Sequence, residues 1–197
     1  MGKDIKLFSG VDKWFERINN YGKELGVKVE HYIISSGVKE IIEGTLIGKQ
    51  FKEIFASEFY YDELGHAVWP KIAINYTNKT QYLMRISKGV LDLSNDVDIN
   101  KKMDDKERRI LFDNMIYIGD GLTDVPCMKL TKDNGGVSIA VYNTKGKEVA
   151  QELYDEGRVN YIARADYSEG SKIDSFVKKN IQAIALREEI SAISNKV

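Results

Sequence analysis

An α/β domain, in which a parallel sheet is covered by helices on both faces, is the fold class this sequence predicts, and three observations predict it. Runs rich in β-formers alternate with stretches of helical apolar spacing along most of the chain, the order of repeated strand–helix units. The run Met115-Ile116-Tyr117-Ile118 is β-prone and apolar throughout, as expected of a buried strand. Directly behind it, Gly119-Asp120-Gly121-Leu122-Thr123-Asp124 sets two carboxylates in a glycine-flanked loop, and ligands of open α/β sheets collect at the carboxyl ends of strands.

The elements follow in order. Val11, Trp14, Phe15, Ile18 and Leu25 recur at helical spacing, and Gly26 reads as the C-terminal cap. Val29 to Ile34 is a strand that ends in Ser35-Ser36-Gly37, a turn expected to open a short helix through Val38, Ile41 and Ile42 to Gly44. Phe51 to Tyr61 and Ala67 to Trp69 flank Asp62-Glu63-Leu64-Gly65-His66 and read as a hairpin, the one antiparallel element, with the cluster Phe59-Tyr60-Tyr61 and the eleven tyrosines expected to pack it against the sheet. Thr77-Asn78 caps a helix from about Lys79 to Lys88, and the polar segment 95–109 is expected at the surface. After the acidic loop come a helix near Leu122 to Leu130, a strand Val137 to Tyr142 and a helix Lys145 to Glu156. A strand Val159 to Ala163 and a final core-covering helix from Ser171 to about Ile193 complete the series.

With 197 residues the chain fits a single domain, 1–197, with a small hairpin insertion at about 51–70. Lys and Arg number 29 against 30 Asp and Glu, a net charge of -1, so the composition argues against a nucleic-acid or anionic-membrane partner and requires any anionic substrate to be held locally. The single cysteine, Cys127, excludes an internal disulfide and a cysteine-built metal site, and its place on a helix suggests a small buried residue. No signal-peptide core follows Met1, and a cytoplasmic protein is the expectation.

Three groups fall where an α/β active site forms. Ser35, with Ser36 and Gly37, sits at a strand end, where a hydroxyl and free amides hold a phosphate-like anion; in isolation Ser35 reads more readily as a helix cap. Lys79 opens a helix and can neutralise a phosphoryl group as a point charge, although a lone lysine is ordinarily a solvated surface residue. Asp120 points out of the strand's carboxyl end, with Asp124 four residues on, and Mg²⁺ is bound by one or two carboxylates plus waters and substrate oxygens. The plainer alternative is that Asp120 caps a helix starting near Leu122.

In this order these residues resemble the later motifs of the haloacid dehalogenase (HAD) superfamily, most of whose members are Mg²⁺-dependent phosphatases. Ile33-Ile34-Ser35-Ser36-Gly37 looks like its second motif, Lys79 like its third, with Lys71 and Lys88 as competitors, and Gly119 to Asp124 like its fourth. The hairpin after the second motif resembles the phosphoserine-phosphatase-like branch, and the resemblance runs from about Val11 to the last strand. It implies a HAD-like, Rossmann-type sheet and a phosphoric monoester hydrolase acting on a small phosphorylated metabolite. Asp120 would be a Mg²⁺ ligand, Asp124 and Lys79 catalytic, and Ser35, Ser36 and Gly37 phosphate-binding.

The family's first motif, Asp-x-Asp-x-Thr, is absent from the sequence, and with it the aspartate that takes the phosphoryl group. Leu7-Phe8-Ser9-Gly10-Val11 looks like the passage by which such proteins return from a cap domain to the core, so the resemblance implies a chain that begins after the first strand and cap. That strand lies centrally in the family, between the strands ending here at Ser35 and Gly119. Its absence predicts either a rearranged sheet or a gap completed by a second chain or an N-terminal segment, and a catalytically silent chain. The rival function is a non-catalytic cation- or phosphate-binding regulatory module. A receiver-like signalling domain also clusters aspartates on a parallel sheet, but its acidic pair would precede the other site residues.

Overall fold

The computed structural model describes residues 2–194. It contains six strands, in two sheets of three, and seven α-helices among the described residues, in the alternating order expected of an α/β fold. Helix α1, Val11–Glu24, buries Val11, Trp14, Phe15 and Ile18 along one stripe, and Gly26 follows it with φ +74°. Strand β1, Tyr32–Val38, runs parallel to the first half of β2, Glu53–Tyr61, whose second half turns antiparallel to β3, Ala67–Ile72. Between β1 and β2 lies a five-residue helix, α2, Lys39–Glu43. Helix α3, Lys79–Lys88, has its predicted range, although the Asn78 side chain does not cap it and instead accepts from the Asn75 amide at 2.8 Å, and α4, Asp96–Asn100, lies in the mostly exposed polar segment.

The second sheet is wholly parallel: β4, Ile116–Gly119, pairs with β5, Val137–Tyr142, and β5 with β6, Tyr161–Arg164. Its crossovers are α5, Val125–Asp133, and α6, Lys147–Asp155, and α7, Lys172–Ser194, ends the described chain. Successive side chains of a strand point to opposite faces, and the two cores obey this. Tyr117 and Ala140 pack with α3, α5 and α6 on one face, while Ile116, Ile118, Ile139 and Val141 pack with α1 and α7 on the other. β1 contributes Tyr32 and Ile34 to the first of these cores. Both faces of the sheet are therefore covered, and helices α1 and α7 are tied by Arg17, whose Nε donates to Asp174 Oδ1 at 2.9 Å.

Three local expectations are corrected. Ser35-Ser36-Gly37 is not a turn opening a helix: β1 continues through it to Val38, because the parallel pairing with β2 resumes at Val38 and Ser57 after a register shift. The Ser57 hydroxyl also donates to the Ser36 carbonyl at 3.2 Å. The hairpin is not simply an insertion over 51–70, since Glu53 to Ser57 of β2 pairs with β1 in the core. Nor do Phe59-Tyr60-Tyr61 pack it back on the sheet. Beyond Ser57 β2 pairs with β3 alone among the described residues, so Tyr60 and Trp69 stay 55% and 70% exposed.

No pairing joins β1 to β4 among the described residues: the sheets are ordered β1–β2–β3 and β4–β5–β6. The inner edges of the two sheets face a cavity instead.

Candidate functional site

β4 ends at Gly119, the chain passes through Asp120 and Gly121, and a 3₁₀ turn, Leu122–Asp124, leads into α5, with Pro126 in its first turn. That turn brings Asp124 back beneath the strand end. Its Oδ1 accepts from Lys79 Nζ at 2.7 Å and from the Tyr117 hydroxyl at 2.8 Å, and its Oδ2 from the Asp120 amide at 3.3 Å. Lys79 and Asp124 are only 5% and 6% exposed, so each charge depends on the other for compensation. Lys79 gets there because α3 starts with it and packs against α5.

Of the three candidate lysines, the structure brings Lys79 alone to the acidic loop. Lys71 pairs with Glu58 on the hairpin at 2.9 Å, and Lys88 donates to the Ile99 and Lys101 carbonyls at 2.6 Å, pinning the segment after α4.

The two glycines of the loop differ in their roles. A Cβ on Gly119 would lie 2.8 Å from Asp124 Cβ, Cγ and Oδ2, so the bare Cα is what lets the carboxylate tuck under the strand. Gly121 has extended backbone, φ −150°, and open space where a Cβ would point, so neither conformation nor space requires glycine at that position. Asp120 caps no helix, and its carboxylate is exposed and makes no hydrogen bond among the described residues. It lines the cavity together with Ser35, Lys79, Asp124 and Tyr167.

Ser35 reaches the same cavity, but Ser36 and Gly37 do not line it. The Gly37 amide donates to the Ser35 hydroxyl at 3.0 Å, an internal bond that takes up the amide expected to hold an anion. Two tyrosines that sequence reasoning assigned to packing belong to the site. Burial, reinforced by the Asp124 charge, pushes the Tyr117 phenol far up, so it stays a proton donor to that carboxylate. Tyr167 is pushed up to about 12 by burial and by the negative charge of Asp120. The strand pattern marks position 117 as buried but carries no sign of its hydroxyl's partner, and Tyr167 lies 47 residues from Asp120 in a loop with no motif.

Cys127 is fully buried beside Tyr117, and burial pushes its thiol up to about 11, which leaves it protonated and unsuited to nucleophilic chemistry. His31 is lowered to about 4 by burial, with a ring nitrogen 2.8 Å from Asn19 Oδ1, and His66 sits exposed on the hairpin against Asp62.

At the opposite end of the gap a second charged group joins the two sheets. Arg109, ahead of β4, donates to both carboxylate oxygens of Glu30, ahead of β1, at 2.6 Å, and Lys52 adds a third contact at 2.6 Å. Burial alone would raise the Glu30 carboxyl, but hydrogen bonds from Arg109, Lys52 and Tyr32 hold it down at about 2.

Among the described residues no cluster of three or more His, Cys, Asp or Glu side chains could hold a metal ion. Asp120 is a hard oxygen donor of the kind Mg²⁺ takes, whereas the Asp124 carboxylate is already engaged by Lys79 and Tyr117. The residues present thus fit Mg²⁺ in donor chemistry and supply one unengaged carboxylate toward it.

No family model matches the chain. It is 28% identical over 201 residues to an uncharacterized protein of Borreliella burgdorferi, a match that covers 92% of this chain and 68% of that protein.

Proposed function

We propose that the chain is the core of a Mg²⁺-dependent phosphatase of the HAD type, acting on a small phosphorylated metabolite, with its nucleophile supplied from outside these residues. The observation that carries the reading is the buried Lys79–Asp124 pair, 2.7 Å apart, set behind an unengaged Asp120 at a strand's carboxyl end and facing a cavity of about 640 Å³. An ammonium there serves as a point charge against a phosphoryl group, and Asp124 with Tyr117 fixes its position. The Ser35 hydroxyl, on the cavity wall, donates to a phosphoryl oxygen while its own oxygen keeps the Gly37 amide. Asp120 would hold Mg²⁺, which when bound supplies Lewis-acid neutralisation of phosphate charge. In-line transfer needs a carboxylate nucleophile that the sequence does not place at this site.

The test is calorimetric titration of inorganic phosphate into the chain in MgCl₂. Binding is expected for the native chain and lost in Asp120→Asn. Phosphate binding that ignores Asp120→Asn, or none at all, overturns the reading. The rival, a non-catalytic cation- or phosphate-binding module, draws support from the missing Asp-x-Asp-x-Thr sequence. The two part on turnover once a nucleophile-bearing segment is added.

A further inference from the structure

We infer that the gap between β1 and β4 is a docking slot for one extended, apolar peptide strand lying parallel to both, which joins the two half-sheets into one. The inference rests on the edges themselves and is independent of whether the site is a phosphatase. Among the described residues β1 pairs with a strand on one side only, β2, and β4 on one side only, β5, so each turns inward an edge whose backbone N–H and C=O groups have no strand partner. Such edges are templates for another strand, and β-strand addition is the recognition mode that uses them.

The edges face the same opening and run the same way. Arg109 and Glu30 link the residues just ahead of β4 and β1, while Ser35 and Asp120, at the far ends, line the same cavity. A cavity of about 640 Å³ runs along the gap from Leu83 and Ile86 on one face to Trp14 on the other, and one of about 380 Å³ adjoins it on the α1–α7 face; Trp14, His31, Ile116 and Ile118 line both. Space on both faces is what an absent central strand leaves, because its alternate side chains would fill one face and then the other.

The chemistry of the occupant follows from the walls. One side presents Leu83 and Ile86 of α3, the other Ile18 of α1 with Val177 and Ile181 of α7. A strand between them is buried on both faces and must be apolar throughout. β4 has four residues, so an occupant of about five residues, a common strand length, spans it. In the Borreliella relative the match covers 68% of the length, which leaves chain long enough for such a strand beyond the shared region.

The experiment uses the isotopically labelled 197-residue chain and a synthetic peptide of about five consecutive valine and isoleucine residues flanked by lysines, a length set by strand statistics. In the chain alone, gap-facing amides of residues 32–35 and 116–119 should exchange rapidly with solvent. Saturating peptide should slow them about ten-fold or more, as new hydrogen bonds that open only locally, and leave β3 and β6 unchanged. The same peptide N-methylated at alternate residues should not protect them. Amides already protected in the dilute monomeric chain, or a peptide that binds without protecting them, would overturn the slot. Protection that grows with protein concentration alone and tracks dimer formation would assign the slot to a second copy of this chain and overturn the proposed occupant.

Discussion

Removing the Asp124 carboxylate is the perturbation whose cost the structure sets most directly. Asp124→Ala leaves the Lys79 ammonium, 5% exposed, without its counter-charge and leaves the Tyr117 hydroxyl without its acceptor. Breaking a buried pair by deleting one partner costs about 3–5 kcal/mol, since the survivor's desolvation is no longer compensated. For a domain of this length, at about 2–4 °C per kcal/mol, the melting temperature should fall by about 6–20 °C. Replacing both partners with apolar residues, Lys79→Met with Asp124→Leu, leaves neither charge stranded and should recover most of the loss. Differential scanning calorimetry of Lys79→Met, Asp124→Leu and the double variant supplies the cycle. Single variants that each cost less than about 1 kcal/mol, the size of an exposed pair, or a double variant whose loss is the sum of the singles, would refute the account of a mutually dependent buried pair.

Gly119→Ala should cost about 1–3 kcal/mol, the size of an overpacking penalty, because its Cβ would sit 2.8 Å from the Asp124 carboxylate; Gly121→Ala, with open space, should be near neutral by urea denaturation. His31, lowered to about 4 from 6.5 by burial, is neutral in both states above pH 6.5 and contributes no pH dependence there. As pH falls from 6.5 toward 4 the unfolded chain takes up the proton first, so stability should drop by about 2 kcal/mol between pH 7 and pH 5, and His31→Gln should flatten that fall. Glu30, held at about 2 instead of 4.5, loses its contribution at still lower pH. With an aryl phosphate and MgCl₂ the chain should show no turnover; turnover abolished by Asp120→Asn would place the nucleophile among these residues after all.

The regular core was legible because its signals are local. β5 and α3 fall on their predicted residues, since a bounded run of β-formers and a helix start after Thr77-Asn78 each carry their own boundaries. The end of β1 was not legible: Ser35-Ser36-Gly37 reads as a turn by composition, and only pairing with β2, some twenty residues on, holds it extended. The hairpin aromatics misled for the same reason, because their burial depended on whether a strand lay beneath them. In the site, Lys79 and the acidic loop were legible as motif residues. Tyr117, Tyr167 and the Glu30–Arg109 link were not, because each acts through a partner distant in sequence or hidden by an apolar pattern.

The central claim is that Asp120, Lys79 and Ser35 form one wall of a Mg²⁺–phosphate site at the mouth of the gap. Amide chemical shifts of the labelled chain, followed as inorganic phosphate is added in MgCl₂, test it most directly. The account predicts changes confined to residues near Ser35, Lys79 and Gly119 to Asp124, and lost in Asp120→Asn. Changes centred elsewhere, or unaltered by that substitution, would contradict it.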